Sequence, residues 1–207
     1  YLGSGAYILH HKPDKALGIE LNYDIFCLWK WLQTKPIEEL LYLNSLVEEN
    51  KKNKKDIREF NLSLGPQTYL KLNVCSVMVG QLSSWKLYPQ HSLPIEKTLE
   101  LIDYISCIEV IYGDALEYKP KNGDLIFIDP PYINTNANYG RVVDSYNPLD
   151  TITLISRIRE PIIFTYGDGC EKIFPNYNWE IVKIKRVPNI RLGGTIKRTE
   201  YVSYFNF

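Results

Sequence analysis

Four consecutive residues, Asp129-Pro130-Pro131-Tyr132, combine types that suit one kind of chemistry, the activation of an aromatic amino group. The amino nitrogen of a base such as adenine shares its lone pair with the ring and is a poor nucleophile. If the Asp129 carboxylate and the Pro130 carbonyl accept its two N–H bonds, the nitrogen moves toward tetrahedral geometry. Its lone pair then becomes available to an electrophile such as a sulfonium methyl group. Two prolines restrict the backbone and hold the acceptors where charge develops in the transition state. Tyr132 offers a flat face on which an extruded base can stack, and enzymes that modify bases must take them out of the helix. A bare tetrapeptide of this kind could equally be two prolines ending a strand. Here it follows the apolar run Leu125-Ile126-Phe127-Ile128, which predicts a buried strand, and ligands of open α/β sheets bind beyond strand carboxyl ends.

Three further signals precede it along the chain. Tyr1-Leu2-Gly3-Ser4-Gly5 reads as a strand-to-helix turn opening a helix over 6–11. Its glycines permit close backbone approach to a ligand, and a helix N-terminus favours a carboxylate. Glu20-Leu21 ends an apolar run, 16–21, that predicts a buried strand, and an acidic residue there can take both hydroxyls of a ribose. Gly113-Asp114-Ala115 follows a strand over 108–112, where Asp114 can accept the amino hydrogens of an adenine ring. Taken singly, each is equally a structural turn or an exposed strand end. Their order, glycine turn, acid, acid, then Asp-Pro-Pro-Tyr, makes the joint reading stronger than its parts.

The elements that must position these residues alternate along the chain. Helices are expected over 25–32, 37–52, 66–82 and 94–105, and strands over 108–112, 124–128, 161–166, 179–186 and 198–207. Residues 51–55 are nearly all Lys and Asn and read as a mobile tip, and 83–93 as an aromatic, polar loop. Strands alternating with helices predict a parallel-rich α/β sheet, with strands accumulating at a C-terminal edge. The chain of 207 residues, 45% hydrophobic, is long enough for one core with at most a small appended lobe. Residues 1–33 and 94–207 are expected to form the core, with 34–93 inserted as a helical lobe.

Composition excludes some classes. No apolar run approaches the roughly 20 residues that span a bilayer, so the chain reads as soluble, with no membrane partner. Cys27, Cys75, Cys107 and Cys170 lack the paired spacings of metal sites or disulfide frameworks and read as buried thiols of a reducing compartment. His10, His11 and His91 have no carboxylate or cysteine at ligand spacing, so no metal is implied. The 24 Lys and Arg balance 24 Asp and Glu, so net charge gives no push toward nucleic acid. The stretch 183–198 is locally basic, and one such patch suffices to bind DNA.

On these residues the chain resembles the Dam-like DNA adenine methyltransferases. That family carries a Phe-x-Gly-x-Gly turn, an Asp-Ile-Asn, an Asp-Pro-Pro-Tyr and a C-terminal Arg/Asn/Gly/Lys hairpin in this order. The matching segments are Tyr1 to Gly5, Glu20-Leu21-Asn22, Asp129 to Tyr132, and Arg186 to Glu200 with Asn189, Gly193, Gly194 and Arg198. The resemblance implies a Rossmann-like class I methyltransferase sheet with a small helical DNA-recognition lobe. It further implies S-adenosylmethionine as cofactor, bound by Tyr1, Leu2, Gly3, Ser4, Gly5, Glu20, Leu21, Asp114, Ala115 and Asp129, with Glu20 on its ribose and Asp114 on its adenine, and a flipped adenine of double-stranded DNA held by Asp129 to Tyr132. Lys71, Asn73, Trp85 and Lys86 would belong to the recognition lobe, and Arg186, Asn189, Arg191, Lys197 and Arg198 to a hairpin gripping phosphates. The polar stretch 134–139 resembles the family's segment near the flipped base. Localisation would be cytoplasmic, or wherever the target DNA lies in a viral or cellular host.

The sequence departs from the family in three places. The Lys-Trp-x-Gly-Gly-Lys segment and the strand that precede the glycine turn have no counterpart here, so an upstream segment or a second chain is expected to complete the cofactor site. A Gly-x-Phe-Asn-x-Pro stretch is not found in the lobe, and Glu20 replaces the usual Asp. Two rival readings stand beside the main one. One is an inactive homologue that binds DNA or serves as a partner subunit. The other is a methyltransferase of RNA adenine, since a single-stranded base presents the same edge. A glutamine-modifying relative would carry Asn where Asp129 stands.

Overall fold

The computed structural model describes residues 2, 5–75, 85–130, 147–188 and 195–207, with side chains described except at 182–198 and 200. The chain divides into two compact units, Tyr1–Ala115 and Leu116–Phe207, and is of mixed α/β class.

In the first unit, strands β1 (Leu17–Glu20) and β2 (Glu109–Tyr112) pair in parallel, Glu20 lying opposite Tyr112. Around them stand α1 (Ala6–His11), α2 (Tyr23–Gln33), α3 (Ile37–Asn50), α4 (Leu64–Asn73) and α5 (Ile95–Cys107). Asn22 starts α2 by accepting the backbone N–H groups of Asp24 and Ile25, which would otherwise lack intrahelical partners. Along α3, Leu40, Leu43 and Val47 recur at helical spacing and are wholly buried, which makes this helix's inner stripe. These residues share one apolar cluster with Leu28 and Trp29 of α2, Ile102 of α5 and Val110 of β2. Leu40, Leu43, Val47, Ile57, Leu70 and Leu87, among the described residues of 34–93, therefore pack into the same core as the segments on either side.

Two local expectations are corrected here. The helix predicted over 66–82 ends at Asn73, because Val74 and Cys75 turn aside to pair with a later segment. Tyr88 N–H donates to Val74 O at 2.8 Å, and Cys75 bridges Leu87. The segment read as a mobile tip forms a 3-10 turn over Lys51–Asn53 and is anchored beyond it. Leu87 N–H donates to Lys55 O at 2.9 Å, and Ile57 is fully buried. In both places a backbone partner distant in sequence overrides the local pattern.

The second unit holds a four-stranded sheet in the order β3-β4-β6-β5, formed by β3 (Ile126–Ile128), β4 (Ile162–Tyr166), β5 (Glu180–Pro188) and β6 (Thr195–Phe205). β3 and β4 are parallel, and β6 runs antiparallel to both β4 and β5. Helix α6 (Pro148–Arg157) precedes β4 and is started by Asn147, with Pro148 in its first turn. A short helix α7 (Cys170–Ile173) follows β4. Along β4, Ile162, Phe164 and Tyr166 are wholly buried while Ile163 and Thr165 alternate to the other face. Phe164 and Tyr166 each meet Phe174 with ring centroids 5.1 Å apart, and Tyr177 and Trp179 extend the aromatic cluster. This packing fixes the height and rotation of β4. Among the described residues, no helix is long and apolar enough to cross a membrane.

Candidate active site and nucleic-acid surfaces

The first unit brings several predicted site residues to one end of its parallel pair. Glu109 N–H donates to Ala16 O and Gly113 N–H to Glu20 O, so even-numbered residues of β1 direct their backbone groups toward β2. Ile19 O therefore points to the opposite edge, where it accepts Leu2 N–H at 2.8 Å. Leu2 is buried over Gly18, whose missing side chain makes room for it: a Cβ there would stand 2.6 Å from Leu2 Cδ1. Gly5 N–H closes the turn on Leu2 O at 2.8 Å. Gly5 itself has φ +62° and lies under the Trp29 indole, so its glycine is required by internal packing as well as by the turn. Tyr1, Gly3 and Ser4 lie outside the described residues.

Glu20 is a buried carboxylate at the carboxyl end of β1, and its Oε1 accepts Asn22 N–H at 2.8 Å. Leu21 is half-buried between them. On the neighbouring strand end, Asp114 is half-buried just past Gly113, and Ala115 opens a 3-10 turn. Glu20, the last residue of β1, and Asp114, two residues past β2, thus stand at the same end of adjacent parallel strands. An aromatic group that sequence reasoning passed over lies beside them. Tyr112, the register partner of Glu20, meets Tyr23 at 5.3 Å and Phe26 at 5.5 Å between ring centroids. Tyr112 and Tyr23 are about half exposed. The arrangement offers carboxylate acceptors for hydroxyl or amino groups beside an exposed aromatic surface.

In the second unit Asp129 and Pro130 directly follow β3, as expected, with Asp129 exposed and Pro130 buried. Thr165 Oγ1 donates to Asp129 Oδ1 at 2.9 Å and stands 3.4 Å from Ile128 O. Pro131, Tyr132 and the stretch 134–139 lie outside the described residues.

No protein-family model matches the chain, and no curated protein matches it significantly.

Around Trp85 the first unit gathers cations from three segments. Lys71 Nζ lies 4.2 Å from the indole centroid and the Arg58 guanidinium 5.6 Å from it. Ile57 N–H donates to Trp85 O at 2.8 Å, and Asp56 bridges Lys86, so residues 55–57 and 85–87 run side by side. Arg58 also grips the Asp56 carboxylate with two N–H groups, at 2.9 and 2.6 Å, which holds that carboxyl below the usual aspartate range. Asn73 turns its Nδ2 back to Tyr69 O at 2.8 Å. Arg58 joins Lys71, Trp85 and Lys86 only through tertiary pairing, and no sequence signal singled it out.

Strands β5 and β6, which carry the basic residues of the C-terminal stretch, pair antiparallel. Antiparallel register sets Arg186 opposite Lys197 and Lys185 opposite Arg198. Asn189 and Arg191 lie outside the described residues. Also among the described residues, no group of three His, Cys, Asp or Glu side chains stands close enough to hold a metal ion.

Proposed function

We propose that the chain is an S-adenosylmethionine-dependent methyltransferase of the adenine 6-amino group in DNA, built on a Rossmann-like sheet. The observation that carries this reading is Asp129-Pro130 standing directly beyond a parallel strand, in the sequence Asp-Pro-Pro-Tyr. Within each unit the pairing is compatible with that reading: β1 and β2 are parallel in the first, and in the second β3 and β4 are parallel with β6 and β5 added antiparallel. Residues 34–93 would act as its recognition lobe.

The residues at the ends of β1 and β2 fit the cofactor's nucleoside. Glu20 would accept its ribose hydroxyls and Asp114 its adenine amino group, and the Tyr112 ring offers a flat surface for the purine. When bound, S-adenosylmethionine supplies a methyl group on a positively charged sulfur.

Asp129 would accept one N–H of the target adenine and the Pro130 carbonyl the other. Drawing both hydrogens toward these acceptors would localise the nitrogen lone pair and stabilise the positive charge that forms on nitrogen as it takes the methyl group, until one N–H proton passes to solvent and leaves the neutral methylamino product. Double-stranded DNA would be held by phosphate contacts from Lys71, Lys86 and Arg58 around Trp85 and from the hairpin carrying Arg186, Lys197 and Arg198.

The deciding experiment is transfer of a labelled methyl group from S-adenosylmethionine to unmethylated DNA, followed by nucleoside mass spectrometry. N6-methyladenine is expected with the native chain and none with Asp129→Ala, while cofactor binding by calorimetry stays within about threefold. DNA binding without transfer would sink the enzymatic reading in favour of an inactive homologue. Retained turnover in Asp129→Ala would remove the carboxylate from the reaction.

A further inference from the structure

We infer that Thr165 is a positioning residue for Asp129, setting the plane of its carboxylate toward the target amino group. The inference rests on the reading of Asp129 as the amino-group acceptor. Ile128 pairs with Phe164 across the parallel β3–β4 ladder, so the next pair along, Asp129 and Thr165, project side by side from the same face. A slip of one residue would set Tyr166 there instead.

Thr165 is suited to hold a neighbour still. It lies between Phe164 and Tyr166, both wholly buried, and its β-branched side chain has restricted rotation about χ1. Its neighbours on the other side are fixed too, since Phe164 and Thr165 pair with Ser203 and Val202 of β6. A hydroxyl has a single hydrogen to give, and of the two acceptors within reach of Thr165 Oγ1 the Asp129 Oδ1 at 2.9 Å is nearer than Ile128 O at 3.4 Å. The bond is charge-assisted and ties one oxygen of an otherwise exposed side chain. With Oδ1 held, the carboxylate no longer rotates freely about its terminal bond, and the acceptor geometry exists before the substrate arrives. Thr165 itself need touch no substrate. Its effect on transfer would come through the orientation of Asp129.

The test compares Thr165→Val, which keeps the shape and removes the donor, with Thr165→Ser, which keeps the donor. Each is assayed for kcat and for KM toward S-adenosylmethionine, with thermal unfolding as a fold control. Thr165→Val should lower kcat roughly 10- to 100-fold, the worth of one hydrogen bond to a charged group, with KM for the cofactor nearly unchanged. Thr165→Ser should recover the native kcat within about threefold. Equal losses in the two variants would trace the effect to packing of the β-branched methyl and overturn the proposal. So would a Thr165→Val kcat within twofold of native, while leaving the methyltransferase reading intact. Should the native chain itself transfer no methyl group, both readings fall together. If Thr165→Val does not fold, Thr165→Ala replaces it against the same Ser control.

Discussion

Gly5→Ala separates what a glycine does for the fold from what it does for a ligand. The residue sits at φ +62°, as the left-handed cap that starts α1. Forcing an L side chain into that region costs about 1–2 kcal/mol. The added methyl would also stand 2.5 Å from Trp29 Cη2, and Trp29 is only 4% exposed, so the indole has no room to swing aside. Overpacking of a filled core costs about 1–3 kcal/mol. The two costs have different origins, backbone and side chain, and together predict a loss of roughly 2–5 kcal/mol, a large share of the 5–15 kcal/mol that stabilises an ordinary domain. Urea unfolding followed by tryptophan fluorescence reads this directly, because Trp29 is the residue displaced. An unchanged slope with a lower midpoint would mark a loss of stability in the native state. A loss below about 0.5 kcal/mol would refute the packing argument and leave close approach of a ligand as the reason for glycine at this turn.

The remaining predictions concern charge and thiols. The Arg58 guanidinium holds the Asp56 carboxyl below its ordinary value, so this contribution is fully present above the unfolded aspartate pKa of about 4 and is lost as pH falls through the lower folded value. Arg58→Ala should therefore flatten the acid side of a plot of unfolding midpoint against pH, and an unaltered slope would show the pair to be silent. Burial pushes the thiols of Cys75 and Cys170 up to about 12, whereas Cys107 is exposed. At pH 8 a thiol reagent should label Cys107 in the folded protein and reach Cys75 and Cys170 only after denaturant is added. Rapid labelling of either buried thiol, located by peptide mass spectrometry, would contradict their placement.

What could be read along the chain was local. The apolar runs ending at Glu20, Tyr112, Ile128 and Tyr166 are short, continuous and bounded by turn residues, and each became a strand within two residues of its expected limits. Helices α2, α3 and α5 followed from apolar spacing for the same reason, that its signals lie within a turn or two of one another. Asp129 was likewise found beyond a strand by reading the residues just before it.

The tertiary structure decided whatever depended on partners distant in sequence. The end of α4 at Asn73 was set by residues 87 and 88, and the order around residues 51–57 by residues 85–87. Backbone groups left unpaired by one segment are satisfied by another, and no pattern within either segment records the match. Register was decided in the same way: only the pairing of Ile128 with Phe164 brings Thr165 to Asp129, and only that of Glu20 with Tyr112 brings an aromatic group beside the acid. Side-chain direction alternates with every residue of a strand, so the identity of a neighbour on the next strand depends on a one-residue offset that folding alone selects.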